Sequence, residues 1–163
     1  MLCWGNNRFG QLGNGSAISS NVPVAASRLR GVVKSLAAGW SHTCALLGDG
    51  GLVCWGTNTK GQLGDATFIQ SRSPVPVYGL SEGVQAVVAG HRHTCALRAD
   101  GGVKCWGENA SGGVGDGSAV NRNTPVDVPG LSAGVAALEV GAGHSCALSA
   151  TGGVECWGRN DRG

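Results

Sequence analysis

A chain of 163 residues with 13% charged residues and a formal net charge of +2 has the length of one ordinary domain. So small a charge gives no reason to expect a nucleic-acid partner or an acidic membrane surface, and no apolar run of 18 or more residues exists to span a membrane as a helix. The 30 glycines recur at fixed positions beside Val, Leu, Cys and Trp, which marks turns between packed strands, not a flexible linker.

The chain opens on Met1-Leu2-Cys3-Trp4-Gly5, which lacks the basic region and long apolar run of a signal peptide. Cys3-Trp4-Gly5 is the first of four such triplets, at Cys3, Cys54, Cys105 and Cys156, each 51 residues after the last. Pro23, Pro74 and Pro125 keep the same step, as do Leu29, Leu80 and Leu131, then Gly39, Gly90 and Gly141, and Cys44, Cys95 and Cys146. Three whole periods cover residues 3–53, 54–104 and 105–155, and residues 156–163 begin a fourth. A period near 50 with several short strand signals points to a propeller or a β solenoid.

In the middle copy the strand signals fall at Val84–Ala89, His93–Leu97, Val103–Trp106 and, one loop earlier, Pro74–Val77. The turn between the second and third carries Asp100-Gly101-Gly102, where glycine supplies the positive φ that a tight hairpin needs. Residues 107–122 form a long connection rich in Gly, Ser and Asn, and no apolar 3.6-residue period survives to suggest a helix. Along the hairpin, Cys44, Leu46, Leu52 and Cys54 share one face, while Ala45, Val53 and Trp55 share the other. Both faces are apolar, so each small sheet is expected to be covered on both sides, as blades around an axis are. The fold class expected is all-β: a propeller of four-stranded antiparallel blades, here a partial array of about three.

The motifs Gly-x-x-His-Thr-Cys-Ala-Leu, Asp-Gly-Gly-x-x-Cys-Trp-Gly, Asn58-Thr-Lys-Gly-Gln-Leu-Gly64 and Pro-Val-x-Val at 74–77 together resemble the regulator of chromosome condensation repeat family. The resemblance spans nearly the whole chain. It implies a seven-bladed ring, of which only three periods are present, and a role as an interaction platform. The founding type is a guanine nucleotide exchange factor for a nuclear GTPase that also docks on chromatin. The third copy departs from the motif, with Gly112-Gly-Val-Gly115 in place of Gly61-Gln-Leu-Gly64. Kelch-type propellers also use a double glycine, such as Gly50-Gly51, and are the alternative fold.

The pairs Cys44 and Cys54, Cys95 and Cys105, and Cys146 and Cys156 are each ten residues apart. If Gly48-Asp49-Gly50 is a three-residue hairpin loop, the two members of a pair stand opposite one another, about 4.5–5.5 Å apart at Cα. That separation permits a cross-strand disulfide; small buried thiols on a blade face are the other reading. No Cys-x-x-Cys spacing suggests zinc. Paired cysteines favour an extracellular or cell-surface location. Cys3 has no partner ten residues back, and both ends fall within a repeat, so the chain is expected to be a piece of a longer array. A natural short protein assembling into a ring is the alternative.

His42, His93 and His144 repeat with the period and read as structural hydrogen-bonding groups. Asp49 and Asp100 become Thr151 in the third copy, as turn formers can. No nucleophile recurs beside a histidine, and no paired carboxylates, metal-ligand spacing or cofactor motif occurs, so no catalytic residue, metal or cofactor is assigned. What varies between copies is more informative. The first-to-second turn holds Trp40-Ser41, then His91-Arg92, then Ala142-Gly143. The loop after the third strand holds Arg8-Phe9, then Thr59-Lys60, then Ala110-Ser111. Both emerge at one face, and Trp, Arg and Phe suit protein interfaces. Arg8, Phe9, Trp40, Lys60, His91 and Arg92 are therefore the candidate partner-binding residues, for a protein partner. Ordinary drift of solvated loops would give the same pattern. The function expected is a non-enzymatic interaction module; the alternatives are an exchange regulator of a small GTPase and a structural module of a larger surface protein. Open blade edges also predict self-association.

Overall fold

The computed structural model describes residues 1–161 as thirteen antiparallel strands in four small sheets. The strands β1 (Leu2–Gly5) and β2 (Ser20–Ala25) form a two-stranded sheet. The first full blade is β3 (Val33–Ala38), β4 (His42–Leu47), β5 (Leu52–Gly56) and β6 (Ser71–Pro76), in that spatial order. The second is β7 (Val84–Ala89), β8 (His93–Arg98), β9 (Val103–Gly107) and β10 (Arg122–Asp127). The last sheet holds β11 (Val135–Val140), β12 (His144–Ser149) and β13 (Val154–Gly158). Each strand pairs with its sequence neighbour, the up-and-down order of a propeller blade. No helix interrupts the described residues.

The β4–β5 hairpin shows how the repeat closes. The Leu47 N–H donates to the Gly51 carbonyl at 2.8 Å and the Gly50 N–H to the Leu47 carbonyl at 3.0 Å. Gly50 takes φ 84°, the left-handed residue that follows the turn in a three-residue hairpin loop. The Asp49 carboxylate accepts from the Gly51 N–H at 2.9 Å, and Asp100 does the same for Gly102 at 3.0 Å, so both aspartates serve their turns. This register sets Cys44 opposite Cys54, Cys95 opposite Cys105 and Cys146 opposite Cys156. The Cα atoms of each pair are 4.1 Å apart, and the three pairs form cross-strand disulfides, leaving Cys3 free.

The core lies between blades. Leu46, Leu52, Val77 and Leu80 of the first full blade and its exit meet Val84, Val87 and Trp106 of the second. Leu97, Val103, Val128 and Leu131 meet Val135, Leu138 and Ala147 in the same way one repeat on. The alternating faces of the hairpin thus belong to two successive layers.

The outermost sheets have one bare face within this chain. Trp4 is 64% exposed, while its repeat counterparts Trp55 and Trp106 are at 0%. Leu148 and Val154 are 40% and 66% exposed, against 1% for Leu97 and Val103. Apolar faces of this kind are sticky in isolation. The purified chain is therefore expected to self-associate, with light scattering that rises with concentration. A stable monomer at high concentration, melting cooperatively, would contradict this.

Candidate functional site

Two sets of loops meet at one end of the blades. The first are the tight turns entering the second strand of each sheet, at Gly39–Ser41, Gly90–Arg92 and Gly141–Gly143. A side chain at Gly90 would run into the Gly141 carbonyl oxygen of the next sheet, so the close approach of neighbours requires glycine there. The second are the long loops after each third strand.

Those loops are long but not loose, because a buried asparagine organises each one. Asn58 accepts from the Leu63 N–H at 2.9 Å and donates to Asp65 Oδ1, the Thr67 carbonyl and the Ile69 carbonyl at 2.9–3.2 Å. Asn7 and Asn109 repeat the arrangement around Leu12 and Val114. All three are fully buried. In the third loop, Asp116 is also ion-paired with Arg122 at 2.6 Å. Burial there works to raise the Asp116 carboxyl, but hydrogen bonds from Ser118, Arg122 and Asn109 hold it down to about 2.

Each loop is latched to the following blade through one backbone carbonyl. The Gln62 carbonyl accepts from Thr94 Oγ1 and Trp106 Nε1, both at 2.9 Å. The Gln11 carbonyl accepts likewise from Thr43 and Trp55, and the Gly113 carbonyl from Ser145 and Trp157. The carbonyl carries the latch, which is why Gly113 can replace glutamine in the third copy.

The periodic histidines extend this latch. His42 Nε2 lies 2.9 Å from Thr94 Oγ1, and His93 Nε2 lies 3.0 Å from Ser145 Oγ. Each hydroxyl already gives its one proton to a carbonyl, so the imidazole must donate. Nδ1 of His42 is buried without a partner, which fixes the neutral Nε2–H tautomer. Burial, with smaller repulsions from His93 and His91, lowers the His42 pKa to about 3. Burial also lowers that of His93, to about 4, against opposing contributions from the His144 backbone and the Glu108 carboxylate. These two histidines join blades; His93 also borders a small cavity of about 40 Å³ beside Glu108 and Gly113.

The variable positions come together on the surface above the latches. The rings of Trp40 and His91 stack at 4.1 Å between centroids and 17° between planes. The Trp40 backbone N–H also donates to the Gly90 carbonyl at 3.3 Å. Trp40 remains 65% exposed. Beside the stack, Glu108 lies 3.5 Å from Arg92 and 3.6 Å from Lys60. Such half-exposed ion pairs add little stability, but this one ties the loop bearing Lys60 to the turn bearing Arg92. Arg8 and Phe9 lie on the preceding loop and are both exposed. Their loop reaches the Trp40 side through the bond from Thr43 to Gln11, with no direct pairing to the Trp40–His91–Arg92 group among the described hydrogen bonds and ion pairs. Glu108 escaped the sequence reading because it occupies a position where the other copies have Asn6 and Thr57. The buried asparagines were visible in the sequence as a 51-residue series at positions 7, 58 and 109.

Among the described residues no group of three His, Cys, Asp or Glu side chains is placed to hold a metal ion, and no helix is long and apolar enough to cross a membrane.

Two sequence profiles, both described as regulator of chromosome condensation (RCC1) repeat, match residues 1–46, 49–97 and 100–148, and residues 33–62, 84–112 and 135–163. The ultraviolet-B receptor UVR8 of Arabidopsis thaliana is 34% identical over 134 residues, covering 81% of this chain and 30% of the receptor. RCC1 domain-containing protein RUG3, mitochondrial, of the same plant is 31% identical over 166 residues, covering 96% of this chain and 37% of the relative. Among solved structures, Prp20p from Saccharomyces cerevisiae superposes with a TM-score of 0.84 at 27% identity, over 99% of this chain and 41% of Prp20p. Human WBSCR16 also gives 0.84, at 25% identity, over 96% of this chain and 42% of the other. The chain thus spans less than half the length of each of these proteins. Its sheets form part of a propeller of this type, and the chain belongs to the regulator of chromosome condensation (RCC1) repeat family.

Proposed function

We propose that this chain is a non-enzymatic interaction module that binds a protein partner through the loop face bearing Trp40, His91, Arg92 and Lys60, with Arg8 and Phe9 at its edge. The observation that carries this is the Trp40–His91 stack. A large aromatic side chain is held in place while most of its surface stays in water, and it sits where the repeat is least constrained. A preorganised anchor of this kind loses little freedom on binding. The crystal structure report on Prp20p names Gsp1p and histones as what that protein binds, and binding is the use proposed for this relative too. Three disulfides fit an oxidising compartment, so an extracellular or cell-surface setting is part of the proposal. That setting weighs against the second reading, an exchange regulator of a small GTPase. No nucleic-acid partner is proposed for a chain with a net charge of +2.

The test is alanine replacement. Trp40→Ala and Arg92→Ala should each weaken binding of a partner isolated with the intact chain by about 1–3 kcal/mol, read by calorimetry, with the thermal melt unchanged. Loss of fold in either variant would place these residues in the core. Accelerated nucleotide release from a GTPase in a panel assay would favour the second reading.

A further inference from the structure

The opposite end of the first full blade departs from the repeat in a different way. A groove of about 360 Å³ opens there, floored by Leu29, Val53, Pro74 and Pro76 and rimmed by Arg28 and Arg30. In the second blade the same positions carry charge. Lys104 and Asp127, the counterparts of Val53 and Pro76, are ion-paired at 2.7 Å. Arg98 and Asp100, the counterparts of Leu47 and Asp49, are likewise paired at 2.7 Å. The first blade lacks both ion pairs and has Val53 and Pro76 in place of the Lys104–Asp127 pair.

The rim has changed as well. Gly79 and Gly130 take φ 70° and 86° at the point where the first copy has Arg28 at 58°. A non-glycine residue is uncommon in this region, and bulky ones are strained there. The counterparts of Arg30 are Ser81 and Ser132. Two positions that elsewhere hold small residues therefore carry guanidinium groups, and neither is ion-paired among the described residues. The one acid among the residues lining the groove, Asp49, accepts a hydrogen bond from its own turn.

We infer that this groove is a second docking site, separate from the Trp40 face, and that its occupant is an extended acidic segment of a partner protein. One apolar side chain lies on the floor formed by Val53 and Pro76. Flanking Asp or Glu carboxylates meet Arg28 and Arg30, whose planar forks suit carboxylates. The volume accommodates one or two side chains, so the recognition is of a short motif. Pro74 and Pro76 lack the N–H groups that an added strand would use, so the segment docks by its side chains and not by extending the sheet.

The repeat itself supplies folding-competent controls. Val53→Lys with Pro76→Asp rebuilds the second blade's ion pair across the groove floor, and Arg28→Gly with Arg30→Ser restores the residues of the other copies. A displayed library of random 12-residue peptides is selected on the full chain and counter-selected on V53K/P76D. The enriched peptides are then measured by fluorescence anisotropy. The expected consensus is an apolar residue flanked by Asp or Glu, with binding at least ten-fold weaker to each double variant and unchanged by Trp40→Ala. Enriched peptides without acidic residues, affinities for the double variants within two-fold of the parent, or no enrichment over the counter-selected chain would each overturn the assignment.

Discussion

Lowering the pH from 7 to 5 is expected to destabilise the folded chain by about 4 kcal/mol. The loss comes from His42 and His93, whose folded pKa values are lowered to about 3 and about 4. In the unfolded chain both titrate near 6.5. The folded state therefore binds fewer protons than the unfolded one throughout the interval between those values. Stability is fully present above the unfolded pKa and falls as the pH drops, by about 1.4 kcal/mol per pH unit for each histidine. The physical reason is local. A second proton on His42 would sit on Nδ1, which is buried with nothing to accept from it, while Nε2 is committed to Thr94 across the blade interface. Urea midpoints at pH 7, 6 and 5 check this. His42→Gln with His93→Gln keeps an N–H for each hydroxyl and removes the titration, so the double variant should lose most of the slope. A parent chain equally stable at pH 7 and 5 would show that the histidines are not buried as described.

The histidines also show where sequence reading stops. Their 51-residue step marked them as structural, because a repeated side chain with no repeated nucleophile beside it has little chemistry to do. That step could not show that each reaches the next blade, since the Thr94 and Ser145 hydroxyls are 52 residues away in the chain. Local features were legible. The Asp-Gly-Gly turn fixed the hairpin, and the hairpin register set each cysteine opposite its partner. The strand signal at Pro74–Val77 marks the outer strand, which runs instead from Ser71 to Pro76. Proline signals a strand free on one side, but the pairing of β5 with β6 shifts register between Cys54 and Gly56, and no composition signal announced that Ser71–Ser73 would join it. Of the six candidate surface residues, four are gathered by the Trp40–His91 stack and by Glu108. Glu108 itself was invisible because its role depends on two loops meeting. The groove at Arg28 was missed for the same reason: its meaning lies in the comparison of Val53 and Pro76 with Lys104 and Asp127, which are strand partners only once the sheets are built.

Reducing all three disulfides removes about 8 kcal/mol, most of what holds a domain of this size together. Each bridge links residues ten apart, and closing a loop that short restricts the unfolded chain by about 2.7 kcal/mol in the chain-entropy account. The three bridges are not equally accessible. Cys44, Cys54, Cys95 and Cys105 are fully buried between blades, so a reductant reaches them only when the blades part. Cys146 is half-buried and Cys156 exposed, so their bridge opens while the fold persists. Cys3, the free thiol, is half-buried, and burial pushes its pKa up, only partly offset by the chain's amino terminus, which disfavours the reactive thiolate. Stepwise addition of dithiothreitol to protein made in an oxidising compartment, followed by alkylation and mass spectrometry, should label Cys146 and Cys156 first, with the melting temperature lowered but the transition intact. Labelling of the four buried cysteines should appear only together with loss of the folded signal. Seven alkylated thiols in the sample before any reductant is added would show that the bridges do not form. Labelling of all three pairs at one rate in the folded protein would show that the blade interfaces do not shield them.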